Sequence, residues 1–220
     1  MTGQVSIREV YGRRARRYDL TSNLYYLMGV PITRYRQRAV EALQLVPGAK
    51  VLDLACGTGL NFEWLQAAIG PTGRLIGLDF TPAMLDQARE RVKRMGWDNV
   101  TLIEGDATAF TLPELVDAVL STFALSTMPA GERAVQSAIA VLRNGGRLTL
   151  LDIKRADGAF RFLNPLAVPL TRPFGGTEEA LKRRPWEEMR RSLEAFTFQE
   201  LYLGFIYLAT GMKPTGGSHV

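Results

Sequence analysis

The chain has 220 residues, 46% of them hydrophobic and 22% charged, which supports one globular domain with a substantial core and excludes a disordered or fibrous chain. A single cysteine and a single histidine, His219 near the C-terminal end, leave no material for a disulfide framework, a cysteine-rich metal centre, a Ser-His-Asp triad or histidine-ligated zinc. The net charge of +5 is unevenly spread: residues 1–44 hold eight arginines against Glu9, Asp19 and Glu41, and the rest of the chain is balanced. Such a stripe points to an anionic partner, with a solvated helix face as the plain alternative.

Residues 1–9 are polar and no signal-like apolar run follows them; the longest apolar stretch, 201–209, is far short of the roughly 20 residues a spanning helix needs. A cytoplasmic, non-spanning protein is expected. Residues 51–55 read as a buried first strand, followed by a glycine turn and a helix over 60–69, and 74–79 as the second strand. Thr81 supplies an N-cap hydroxyl and Pro82 fits the first helical position, after which Met84, Leu85, Ala88, Val92 and Met95 recur at helical spacing until Gly96. Strands over 100–104 and 117–121, a helix over 132–142, a turn at Asn144-Gly145-Gly146 and a strand over 147–153 follow. This alternation is the pattern of a parallel sheet with crossover helices. Between 154 and 193 the punctuation (Gly158, Pro165, Pro169, Pro173, Gly175, Gly176, Pro185) breaks the pattern and predicts an inserted cap or lid, before two short strands at 196–202 and 204–210 form a closing hairpin.

The most specific feature is Val51-Leu-Asp-Leu-Ala-Cys-Gly-Thr-Gly59, with Asp79 ending the next strand. Two glycines let the backbone turn sharply and approach a ligand, the following helix points its unpaired N–H groups into the gap, and an acid closing the second strand is placed to accept ribose hydroxyl protons. A dinucleotide dehydrogenase uses the same geometry, but its Gly-x-Gly-x-x-Gly fingerprint needs glycine where this chain has Phe62. The carboxylate of Asp53, ahead of the turn, suits a ligand with a cationic amino-acid end better than a pyrophosphate. Cys56 reads as a small buried loop residue, not a nucleophile.

These residues resemble the first motif of the class I S-adenosylmethionine-dependent methyltransferases. The resemblance continues through Leu75-Ile-Gly-Leu-Asp79 with Thr81-Pro-Ala-Met-Leu85, Leu102-Ile-Glu-Gly-Asp106-Ala107, Asp117-Ala-Val-Leu-Ser121 and Leu142-Arg-Asn-Gly-Gly-Arg-Leu148. It implies an α/β, Rossmann-like doubly wound, mostly parallel seven-stranded sheet with N-terminal helices and a cap inserted before the last two strands. One domain is expected, with a helical cover over 1–44, a cofactor-binding core over 45–153, a cap over 154–193 and a C-terminal hairpin over 194–212. It also implies S-adenosylmethionine as cofactor. Asp53, Ala55, Gly57, Thr58 and Gly59 would lie along its methionine part, Asp79 at the ribose, Phe80 and Met84 near the adenine, Asp106 and Ala107 at the adenine edge, and Ser121 and Phe123 beside the reacting methyl. Helix packing is an equally good reading of Met84. A dehydrogenase and a non-catalytic cofactor-binding module are the competing classes.

Tyr18-Asp19, Asn23-Leu-Tyr-Tyr-Leu-Met-Gly29 and the arginine-rich segment 34–43 resemble, more loosely, the N-terminal helices of the ubiquinone/menaquinone C-methyltransferases and bacterial phosphatidylethanolamine N-methyltransferases. That implies Tyr18 as a cofactor contact and Tyr25, Tyr26 and Met28 as pocket-lining residues, with Phe162 of the cap a further substrate-lining candidate. After the fourth strand Ser121-Thr-Phe-Ala124 lacks the Pro-Pro-aromatic pattern of amino-type nucleic-acid methyltransferases, and no aromatic RNA-binding signature accompanies the basic N-terminus, so no nucleic-acid partner is expected.

Methyl transfer from a sulfonium is an in-line displacement that needs mainly alignment and water exclusion. A quinol carbon additionally needs a base, and without histidine that falls to a carboxylate such as Asp152 or Asp19, a tyrosine or an arginine-held water. The shortage favours a phospholipid amine, with prenylated-quinol C-methylation and a soluble small-molecule acceptor as alternatives. Residues 154–191 carry nine basic and five acidic side chains among Phe160, Phe162, Leu163, Leu166, Val168, Leu170 and Phe174. This greasy basic cap suits an amphiphilic acceptor and peripheral contact with an anionic membrane face, although an ordinary lid packed on the sheet would look the same.

Overall fold

The computed structural model describes residues 29–165, 169 and 177–216. The expectations for Tyr18, Asp19, Tyr25, Tyr26 and Met28 fall outside them.

Apolar runs flanked by helical stretches build one seven-stranded sheet: β1 (Lys50–Leu54), β2 (Arg74–Asp79), β3 (Val100–Glu104), β4 (Val116–Thr122), β5 (Leu142–Ile153), β6 (Glu194–Leu201) and β7 (Ile206–Met212). Their spatial order is β3-β2-β1-β4-β5-β7-β6. The first five are parallel, and β7 runs antiparallel to both β5 and β6. This is the Rossmann-like doubly wound sheet that the motif order implied. Because β1 and β4 are neighbours while the chain winds outward from each, a crevice opens beyond their carboxyl ends, where ligands bind in such sheets.

The helices described are α1 (Ile32–Ala42), α2 (Phe62–Ile69), α3 (Pro82–Met95), α4 (Gly131–Val141), α5 (Glu178–Lys182) and α6 (Trp186–Ser192). Side chains alternate across each strand, so the two faces bury separate cores. On one face Val51, Leu75 and Leu120 pack with Val40 of α1, Phe62 and Leu65 of α2 and Leu85 of α3. On the other, Leu52, Leu54, Val119 and Leu148 pack with Ala134, Val135 and Ala138 of α4 and with Trp186 and Met189 of α6.

Three local expectations are corrected. Thr81 is the N-cap residue of α3, but its side chain makes no cap hydrogen bond; the hydroxyl turns to Asp79 instead. The Asn144-Gly145-Gly146 turn lies within β5 as an irregularity, with Gly145 at φ +74° and its N–H donated to the Lys213 carbonyl at 2.9 Å. The stretch 154–193 is not all lid. Its final helix, α6, is the crossover between β5 and β6, and Trp186 sits against Tyr207 and Phe198 with ring centroids 4.5 and 5.3 Å away.

Candidate active site

A cleft of about 280 Å³ opens at the carboxyl ends of β1, β2 and β4. Its floor is the turn after β1, where Ala55, Gly57 and Gly59 all take positive φ (56°, 56° and 76°). A Cβ on Gly59 would lie 2.7 Å from the Phe62 ring, so glycine is required there for packing as well as for backbone conformation. Phe123, directly after β4, also has a left-handed backbone, φ 55°, a conformation costing a non-glycine residue about 1–2 kcal/mol. Ala55 and Phe123 both line the cleft, so two of the six described non-glycine residues with positive φ sit where β1 and β4 end.

Asp79 closes β2 and is prearranged by the loops around it. Its Oδ2 accepts the Gly57 N–H at 2.8 Å and its Oδ1 the Thr81 N–H at 2.8 Å. Burial pushes this carboxyl above its ordinary range, while the surrounding N–H and hydroxyl donors pull it back. A diol in the cleft would compete with the Thr81 hydroxyl for the lone pairs left beside the two N–H groups. Phe80, Met84 and Ala107 supply an apolar wall beside it. Asp106 is fixed by the Thr108 N–H and hydroxyl, both 2.8 Å from its Oδ1.

Opposite that wall stands a polar chain that the spacing did not reveal. Arg36 of α1 is only 7% exposed, lines the cleft and places its guanidinium 5.1 Å from the centroid of Phe123. It donates to Asn61 Oδ1 at 2.8 Å and to the Thr122 hydroxyl. Asn61 in turn donates to both oxygens of Asp53 at 3.0 Å. Asp53 is fully buried, and that burial raises its pKa to about 7, with Asn61 and then Arg36 opposing. The expected Asp53 contact is therefore removed from the cleft: its side chain lies beneath Asn61 at the start of α2, and the network reaches the cleft lining only at Arg36 and Thr122.

Of the other expected residues, Ala55, Gly57, Thr58, Asp79, Phe80, Met84, Asp106, Ala107 and Phe123 line the cleft. Gly59 and Ser121 sit behind its wall; Ser121 points to the opposite sheet face, and its neighbour Thr122 reaches the cleft. Phe162 is 73% exposed on the turn Gly158–Leu163 and does not line the cleft. Thr127, Met128 and Arg133 complete one side and had no motif to announce them. Asp152, considered above as a base, is turned away. It accepts the N–H groups of Ser126, Ala124 and Ile153 at 2.9, 3.2 and 2.8 Å and the Ser126 hydroxyl, and so fixes the turn that carries Thr127 and Met128.

A family model described as a methyltransferase domain matches residues 51–146, from β1 into β5. The chain is a class I S-adenosylmethionine-dependent methyltransferase. Over nearly its full span this methyltransferase is similar to the ubiquinone/menaquinone biosynthesis C-methyltransferase UbiE of Pseudomonas fluorescens strain Pf0-1, 27% identical over 229 residues that cover 94% of this chain and 89% of that protein. It is also similar to the demethylmenaquinone methyltransferase of Listeria welshimeri, 30% identical over 158 residues, 71% of this chain and 66% of that one. Among solved structures the fold is shared with DhpI in its complex with SAH, at TM-score 0.66 and 22% identity over 97% of this chain and 99% of that one. A SAM-dependent methyltransferase from Aquifex aeolicus matches at TM-score 0.61 and 17% identity over 81% and 89%. These matches decide for a methyltransferase against a dehydrogenase. Among the described residues no helix is long and apolar enough to cross a membrane.

Proposed function

We propose that this methyltransferase methylates a ring carbon of a reduced, prenylated quinone. S-adenosylmethionine supplies the methyl at a sulfonium, and the cleft fits it: a prearranged carboxylate for a diol, an apolar wall for a base, and a glycine turn that admits close backbone approach. Asp79 would take the ribose hydroxyls, Phe80 and Met84 would enclose the adenine with Asp106 and Ala107 at its edge, and Ala55, Gly57 and Thr58 would follow the methionine part.

The observation that carries the choice of acceptor is Arg36, a buried cation lining the cleft beside Phe123 and Thr122. A hydroquinone reacts at carbon as its phenolate, and a guanidinium within a few ångströms lowers the proton affinity of a phenol. The hydroxyl proton can then leave without a strong base, which removes the shortage of bases noted from the sequence. The ring carbon gains the methyl and loses its hydrogen as a proton, so no oxidant or reductant is required. A phospholipid amine gains nothing from this cation and is harder to bring beside it when protonated. The two quinone-directed relatives support the same reading.

Incubation with methyl-labelled S-adenosylmethionine and, in parallel, a reduced prenylated benzoquinone, its oxidised form, a soluble hydroquinone and phosphatidylethanolamine vesicles tests it. Label is expected in the ring of the reduced prenylated acceptor. Label in the phospholipid amine alone, or equal label in the oxidised quinone, would overturn the reading.

A further inference from the structure

A second concavity, of about 330 Å³, lies between the turn Gly158–Leu163 and the helices α5 and α6, and shares no residue with the methyl-transfer cleft. Lys154, Arg155, Arg161, Lys182 and Arg184 line it, with Asp157 the one acid on its wall among the described residues. We propose that this concavity binds the phosphates of anionic phospholipids and seats the cap on a bilayer surface.

The acids nearby are already engaged. Lys154, 2% exposed, sits beneath the concavity and gives its three N–H groups to Asp157 at 2.8 Å, Glu200 at 2.5 Å and the Arg155 carbonyl at 2.9 Å. Glu178 is shared by Lys182 at 2.7 Å and Arg155 at 3.8 Å. Arg161 and Arg184 are exposed and form no salt bridge among the described residues. The concavity thus presents cations outward over neutralised acids, the charge complement of a phosphate layer.

The supporting loop is pinned at its base. The Asn164 side chain accepts the Ala156 N–H and donates to the Ala156 carbonyl, both at 2.9 Å, so residues 157–163 project as a closed turn. At its tip Phe160 and Phe162 flank Arg161 and are 40% and 73% exposed. Exposed phenylalanines around a cation are costly in water and suited to the boundary between headgroups and acyl chains. An apolar tip also favours a bilayer over a nucleic acid, whose backbone offers nothing for it to enter.

The test is co-sedimentation of the full chain with phosphatidylcholine vesicles with and without phosphatidylglycerol, comparing wild type, Arg161→Ala/Arg184→Ala and Phe162→Ala. Wild type is expected to bind only the anionic vesicles. At about fivefold per surface cation the double variant should bind about 30-fold more weakly, and Phe162→Ala several-fold more weakly. Affinity for S-adenosylhomocysteine should stay within about twofold of wild type in both variants, since they lie outside the cleft; this reports an intact fold whatever the methyl acceptor is. Unchanged vesicle binding in the double variant would overturn the proposal, as would saturation by inorganic phosphate without vesicle binding, or arginine-dependent binding to RNA in place of vesicles.

Discussion

Asp79→Asn removes one charge and one acceptor from the most strongly prearranged side chain in the cleft. In the wild type each carboxylate oxygen takes one backbone N–H, Gly57 on Oδ2 and Thr81 on Oδ1, both at 2.8 Å. An amide has a single oxygen, so one of those N–H groups would face an NH₂, at a cost of about 1–3 kcal/mol for a buried donor left without a partner. The ligand's diol also loses a charged acceptor, worth about 1.5–3 kcal/mol and hence roughly 10- to 150-fold in affinity. Titration calorimetry with S-adenosylhomocysteine measures the second loss, and thermal melting of the ligand-free variant measures the first. Acidification should mimic the substitution: the folded pKa is raised, the ionised form binds, and affinity should therefore decline as pH falls, sooner than an ordinary aspartate would allow. Unchanged affinity in Asp79→Asn would show that the ribose site has been misplaced.

Gly59→Ala should destabilise the protein by about 2–4 kcal/mol, combining the left-handed backbone with the 2.7 Å approach to Phe62, read from the denaturant midpoint; a change below about 0.5 kcal/mol contradicts the turn geometry. Asp53, with a folded pKa of about 7 against an ordinary 3.8, binds its proton more tightly in the folded state. Its contribution to stability should consequently fall as pH rises from about 4 to about 7, by up to ~4 kcal/mol, and stay level above. In urea titrations, the stability difference between wild type and Asp53→Asn should change by up to this amount across that pH range, and a constant difference would refute it. Arg36→Met should raise the pKa seen in the pH-rate profile on a reduced quinone by about 1–3 units, and an unshifted profile would remove Arg36 from the proton step.

The strand and helix alternation and the turn after β1 are legible because they are written in short-range chemistry: apolar runs, two glycines, and an acid at the end of the second strand; the seven-stranded doubly wound sheet follows only from the resemblance to class I methyltransferases. Asp53 and Ser121 lie outside the cleft lining for different reasons: Asp53 shares the face of Thr122 but sits deeper, beneath Asn61, whereas Ser121 faces the other side of the sheet. Val51 and Asp53 face α2, and Leu120 and Thr122 share one face, so Ser121 faces away and Thr122 reaches the cleft. Arg36 belongs by sequence to the same basic stripe as Arg34 and Arg38, yet it sits four residues after buried Ile32 and four before buried Val40. Helical spacing thus turns one arginine in three inward. Thr127 and Met128 were not legible, since what brings them to the cleft is the long-range bond between Asp152 and Ser126.

Among the described residues, the positive charge of the basic stripe and of the cap falls into two populations that obey different physics. On the proposed quinol reading, Arg36 would act at short range inside a buried network, where counterions do not enter and its effect on a phenol would be nearly independent of salt. Arg161 and Arg184 face solvent, and their attraction to a phosphate layer is screened over about 8 Å at physiological ionic strength. Raising salt should accordingly release the protein from anionic vesicles while leaving turnover of a short-chain, water-dispersed hydroquinone almost unchanged, both measured on the same preparation. If turnover of that dispersed acceptor fell in step with vesicle release, the two groups of cations would be one electrostatic surface, and the separation of chemistry from docking would not hold.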